Sequence, residues 1–85
     1  MILNIKKGQS IYNRLEISNG RIRNWKYAGD CSPMNCHPNT EFKVAEIGST
    51  AGTDWVKLEL VGSYQTMHLK ITGGEFANLF KSQKG

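Results

Sequence analysis

Hydrophobic and polar residues alternate along most of this chain with a period of two. Residues 11–18 set Ile11, Asn13, Leu15 and Ile17 on one side and Tyr12, Arg14, Glu16 and Ser18 on the other. Such alternation predicts a half-buried strand. Asn19-Gly20 follows, the strongest short hairpin signal, because a type I′ turn needs positive φ at both central positions. Residues 21–27 then read as the return strand. Residues 41–47 alternate again, with Phe42 and Val44 inward. Residues 55–61 put Val56, Leu58 and Leu60 on one face. Gly62-Ser63 suits a type II′ turn, and residues 64–71 return with Met67, Leu69 and Ile71 inward. Between these strands, "KKGQS" reads as a turn, residues 28–40 as a long loop holding both prolines, and "GSTAGTD" (48–54) as a hairpin loop.

Near the end the period changes. Phe76, Leu79 and Phe80 follow the i, i+3, i+4 spacing of a helix face. One or two helical turns can lay these side chains on an open end of a sheet. At 85 residues the chain is expected to form one domain. Five or six short strands must close, or nearly close, to hide their edges. The expected fold class is therefore all-β: a small SH3-like or OB-like antiparallel barrel with a short C-terminal helical turn.

A two-residue turn at 19–20 fixes a register in which Ser18 faces Arg21, Glu16 faces Arg23, Arg14 faces Trp25 and Tyr12 faces Tyr27. The register allows an ion pair, a cation–π contact and an aromatic cross-strand pair on one face. Tyr12, Arg14, Arg21, Arg23, Trp25 and Tyr27 are the candidate ligand-binding residues. Bases stack on flat rings while arginines meet phosphates. The opposing expectation is that Trp25 and Tyr27 turn inward as a second buried layer, covered by the arginine stems. The second hairpin sets Trp55 opposite Lys70, Lys57 opposite His68 and Val61 opposite Tyr64. Its charges are mixed, as on an ordinary solvated face or a protein-contact surface.

Charge sharpens this picture. The net charge is +4, and it is unevenly spread. Residues 1–27 carry Lys6, Lys7, Arg14, Arg21, Arg23 and Lys26 against Glu16 alone, whereas the remainder is slightly acidic. That favours an anionic partner for the first third of the chain, a nucleotide, nucleic acid or acidic protein surface. A solvated face that keeps a small protein soluble is the plainer explanation. No apolar run approaches the roughly 20 residues of a membrane span, and "MILNIKKGQS" lacks the pattern of a signal peptide. A cytoplasmic location without membrane partners is expected, and an edge strand in so small a sheet invites homo-oligomers.

The remaining chemistry is sparse. Cys31, Cys36 and His37 share one loop, and His68 or Asp30 can be imagined completing a zinc site. The separated second ligand pair of a structural zinc site is missing, so no metal or other cofactor is assigned. A disulfide between the cysteines is disfavoured in a reducing compartment, which leaves two partly buried free thiols. "GSTAGTD" offers backbone amides for a phosphate but lacks the ending of a P-loop. Glu16, Glu41, Glu46 and Glu59 sit in alternating strands without forming a catalytic pair. The expected protein is a non-catalytic binding module for an anionic ligand, not an enzyme.

Size, the start "MILNIKKG", the tight "SNGR" and "VGSY" reversals and the ending "GGEFANLF" give a chain that resembles small β-rich accessory proteins encoded by bacteriophages. The resemblance implies an anti-defence role inside the host cell. Such a protein occupies a host protein's surface or sequesters a nucleotide signal.

Overall fold

The computed structural model describes residues 5–23, 31–71 and 73–84. Its strands are β1 (Ser10–Asn13), β2 (Ile17–Ser18), β3 (Arg21–Ile22), β4 (Glu41–Thr50), β5 (Thr53–Leu60), β6 (Thr66–Lys70) and β7 (Phe80–Lys81), with one helix, α1 (Gly73–Leu79), before β7. The protein is all-β apart from this helix, as the alternation predicts. Five strands form an antiparallel sheet in the order β6-β5-β4-β1-β7, and β2 pairs with β3 in a separate two-stranded sheet. The described strands do not close into a barrel, which corrects that expectation. The segment 31–36 instead laces the two sheets together. Cys31 bridges Met67 on β6, and Cys36 bridges Ile17 on β2.

The core lies between the inner face of the large sheet and the β2–β3 hairpin with its lacing segment. Ile11, Phe42, Val44, Val56, Leu58, Met67 and Leu69 come from the sheet, and Ile17, Ile22, Met34 and Cys36 from the layer opposite. Phe76 and Leu79 of α1 and Phe80 of β7 close one end. Phe80 stacks on Phe76 at 5.1 Å and meets Phe42 edge-on at 6.1 Å. Phe76 and Leu79 thus cover an open sheet end from the helix, as read from the sequence, whereas Phe80, read as part of the same helix face, lies on β7 opposite Asn13.

Three sequence expectations need correction. First, residues 11–18 are not one strand. The chain leaves β1 after Asn13, bends at Arg14 and Leu15, and resumes as β2. The Asn13 side chain, 1 % exposed, causes the bend. Its Nδ2 donates to the Leu15 carbonyl at 2.8 Å and to the His37 carbonyl at 2.9 Å, while its Oδ1 accepts the Thr40 amide at 2.8 Å. A buried amide with partners on all sides is stable where an unpaired one would be costly. Second, residues 48–54 are not a loop. β4 and β5 run on to a two-residue turn at Ala51 and Gly52, with φ of 52° and 79°. Gly48 lets this happen, because a Cβ there would come within 3.0 Å of the Trp55 ring opposite. Third, the 61–64 reversal is wider than a II′ turn. The Ser63 amide donates to the Leu60 carbonyl and the Leu60 amide to the Gln65 carbonyl. Val61 and Tyr64 therefore sit in the loop and not as a strand pair. The register beyond is the expected one, with Trp55 opposite Lys70 and Lys57 opposite His68.

Candidate functional site

The first hairpin forms as its turn residues dictate. Asn19 and Gly20 have φ of 53° and 77°, the pair of positive values a type I′ turn requires. Ile17 pairs with Ile22 and Ser18 with Arg21. The Arg23 amide donates to the Glu16 carbonyl at 3.0 Å, which carries the register one step further. Gly20 has a second duty. A Cβ there would stand 2.5 Å from the Ser32 carbonyl oxygen, so the lacing segment crosses this turn only over a glycine.

The lacing segment adds a third, short strand to the hairpin. Ile17 and Cys36 exchange backbone hydrogen bonds at 2.9 and 2.8 Å, and the Gly20 amide donates to the Met34 carbonyl at 2.8 Å. Antiparallel pairing at Ile17 and Cys36 sets His37 beside Glu16 and Asn35 beside Ser18. Ile17, Ile22 and Cys36 point into the core. Glu16, Ser18, Arg21, Arg23, Asn35 and His37 are exposed on the other face. That face is a grid of two rows, Arg23·Glu16·His37 and Arg21·Ser18·Asn35. Between β2 and residues 35–37 lies a cleft of about 200 Å³ lined by Glu16, Ile17, Ser18, Asn35, Cys36 and His37. Asn35 is held in place, since its Oδ1 accepts the Asn19 amide at 2.9 Å. Burial on the core side pushes the Cys36 thiol above its ordinary value.

Of the six residues expected to share a face, Arg21 and Arg23 do so. Tyr12 lies on the large sheet, between Glu41 of β4 and Lys81 of β7, and not on the first hairpin where it was expected. Arg14 is at the bend, where its Nε donates to the Ala77 carbonyl at 2.9 Å and its amide to the Leu79 carbonyl at 2.8 Å. It serves the carboxyl end of α1, where a cation is favourable. Trp25 and Tyr27 lie outside the described residues, as does most of the expected return strand. Ser18, Asn35 and His37 join the site without having been expected there. Asn35, Cys36 and His37 do alternate out, in, out, but Pro33 and Pro38 flank them and mask the pattern.

The other aromatic residues divide clearly. The Trp55 ring rests over Gly48. Its Nε1 donates to Thr50 at 3.1 Å, and it meets His68 edge-on at 5.2 Å. Tyr64, at the tip of the 61–64 loop, is 99 % exposed. Cys31 and Cys36 form no disulfide, and among the described residues no three His, Cys, Asp or Glu side chains are placed to hold a metal ion. No described helix is long and apolar enough to cross a membrane. Comparison with known proteins finds no matching family model, curated protein or solved structure.

Proposed function

We propose that this protein is a non-catalytic binding module for a nucleotide or single-stranded nucleic acid, engaged through the outer face of the β2–β3 hairpin. One observation carries the reading. The I′ register sets Arg21 and Arg23 on the same solvent-facing side of the first hairpin, in the most basic third of the chain. Side chains two apart on a strand stand about 6.5–7 Å from each other, so the pair offers two separate anion contacts. Trp25 and Tyr27, which lie outside the described residues, are the stacking rings that this reading calls for. The strand order supports the SH3-like form of the expected fold over the OB-like form. A three-stranded meander, β4 to β6, is followed by a helical turn and a last strand beside the first. The fold itself says nothing of the ligand.

The test is fluorescence anisotropy of a labelled uridine hexanucleotide at low salt. Wild type should bind, and Arg21→Ala with Arg23→Ala should weaken binding at least tenfold. Equal affinity of the two proteins would remove the reading.

A second reading rests on a separate feature. Tyr64 is 99 % exposed and Val61 beside it 43 %, and tyrosine is enriched among residues that anchor protein contacts. Host-protein inhibition, which the resemblance to phage accessory proteins implies, would use this loop. Loss of a host partner on Tyr64→Ala but not on Arg21→Ala would favour it.

A further inference from the structure

The cleft beside the hairpin carries chemistry that the arginines do not explain. It holds a carboxylate, Glu16, so it repels a bare phosphate. Its about 200 Å³ falls below the ~300–1,000 Å³ of pockets that engulf a whole small molecule. It therefore suits one uncharged, flat moiety of a larger ligand. The polar groups around it are complementary in kind. Glu16 accepts two hydrogen bonds side by side. Asn35 has its Oδ1 committed to the Asn19 amide, which leaves Nδ2 as a donor whose orientation the hairpin turn fixes. The Ser18 hydroxyl can donate or accept. The backbone of Ile17 and Cys36, whose side chains turn into the core, closes the bottom of the cleft.

An edge with two adjacent N–H donors and a neighbouring carbonyl acceptor matches that set. Among the common bases only guanine presents it, through N1–H, N2–H and O6. Cytosine offers a carboxylate one donor group, adenine lacks the carbonyl and uracil has a single N–H. We infer that the cleft between β2 and residues 35–37 is a guanine-selective subsite, in which Glu16 accepts from N1–H and N2–H and Asn35 Nδ2 donates to O6, with the attached phosphates on Arg21 and Arg23. Single-stranded nucleic acids are read in this way, by hydrogen bonds to splayed-out base edges. The inference rests on the proposed binding face, and it adds a base preference that the arginines alone would not give.

The probes are fluorescein-labelled hexauridylates, unmodified or carrying one guanine, adenine, cytosine or inosine at the third position, titrated at low salt. The guanine strand should bind about tenfold more tightly than the adenine, cytosine and all-uridine strands, as one good bidentate contact discriminates. Inosine, which lacks the N2 amine, should fall between. Glu16→Gln should collapse the guanine-to-adenine ratio towards one, and a ratio cancels any general gain from losing a negative charge. A guanine strand no tighter than adenine, or a preference that survives Glu16→Gln, overturns the guanine subsite. Should Arg21→Ala with Arg23→Ala weaken every strand alike while Glu16→Gln leaves the ratio unchanged, the basic face stands and the subsite falls. Absence of binding by all strands removes both.

Discussion

Asn13 ties the end of β1 to the chain that leads into β4. Its side chain joins the Leu15 and His37 carbonyls to the Thr40 amide inside the core. Asn13→Ala strands the Leu15 carbonyl and the Thr40 amide, while the His37 carbonyl keeps the Thr40 hydroxyl, and should cost about 2–4 kcal/mol by urea unfolding, since each buried unpaired group is worth ~1–3 kcal/mol. A loss below about 1 kcal/mol would mean that water replaces the amide at no penalty. In the sequence Asn13 reads as incomplete burial on an aliphatic face. Alternation gives the side a residue takes, but not whether a polar residue there finds partners. Gly20 is a different case. Its turn role is legible in Asn-Gly, but the Ser32 carbonyl that leaves no room for a Cβ comes from a segment remote in sequence. Gly20→Ala should therefore destabilise more than Gly52→Ala, which has a similar φ and open space. Equal losses would show that backbone strain alone sets both costs. Cys36 adds a pH dependence. Burial holds its thiol above the ordinary 9.0, so the folded form keeps a proton that the unfolded chain gives up. Its contribution is complete below the unfolded value and is lost as pH rises towards and through the folded one. Unfolding free energy should fall more steeply above about pH 9 in wild type than in Cys36→Val. Parallel profiles would assign the decline to other groups.

The β4–β5 hairpin shows why an element can escape a reading of its residues. "GSTAGTD" has the composition of a loop, yet it forms two strand ends around the Ala51-Gly52 turn. Small residues here make room for Trp55, whose ring needs the space above Gly48. That pairing spans the hairpin and has no local signature. Alanine at φ 52° is also a poor choice for a type I′ turn, which hides the signal that Asn-Gly displays openly at 19–20. Ala51→Asn should accordingly stabilise the protein by about 0.5–1 kcal/mol, because asparagine tolerates the left-handed region better. A neutral or destabilising effect by thermal or urea unfolding would contradict the turn assignment. The break between β1 and β2 escaped for the opposite reason. Residues 11–18 keep their period of two through the bend, so periodicity alone reads a single strand. The strand pairs of β5 and β6 were legible in full, because their alternation fixes register even though the loop between them is wider than expected.

At the scale of the molecule, charge and topology bear on the same surface. The basic residues concentrate in the first third of the chain, and the hairpin turn directs two of them to one exposed face. The lacing segment 31–36 then builds that face outward with Asn35 and His37, while its inner residues join the two sheets. All-β character, the hairpin and the helical turn could be read from the sequence. The third strand of the site could not, since it depends on a single bridge between residues 19 positions apart, Ile17 and Cys36. Tyr12 and Arg14 were misplaced with it, drawn to the large sheet and to the end of α1 by contacts with residues 41, 77, 79 and 81. The measurement that bears most directly on the binding face is the salt dependence of affinity for a single-stranded oligonucleotide. Each phosphate contact contributes about −0.7 to the slope of log K against log salt. If Arg21 and Arg23 each hold one phosphate, the Arg21→Ala, Arg23→Ala protein should bind more weakly, with a slope shallower by about 1.4. A slope identical to that of wild type would place the anion contacts elsewhere and contradict the hairpin as the binding surface.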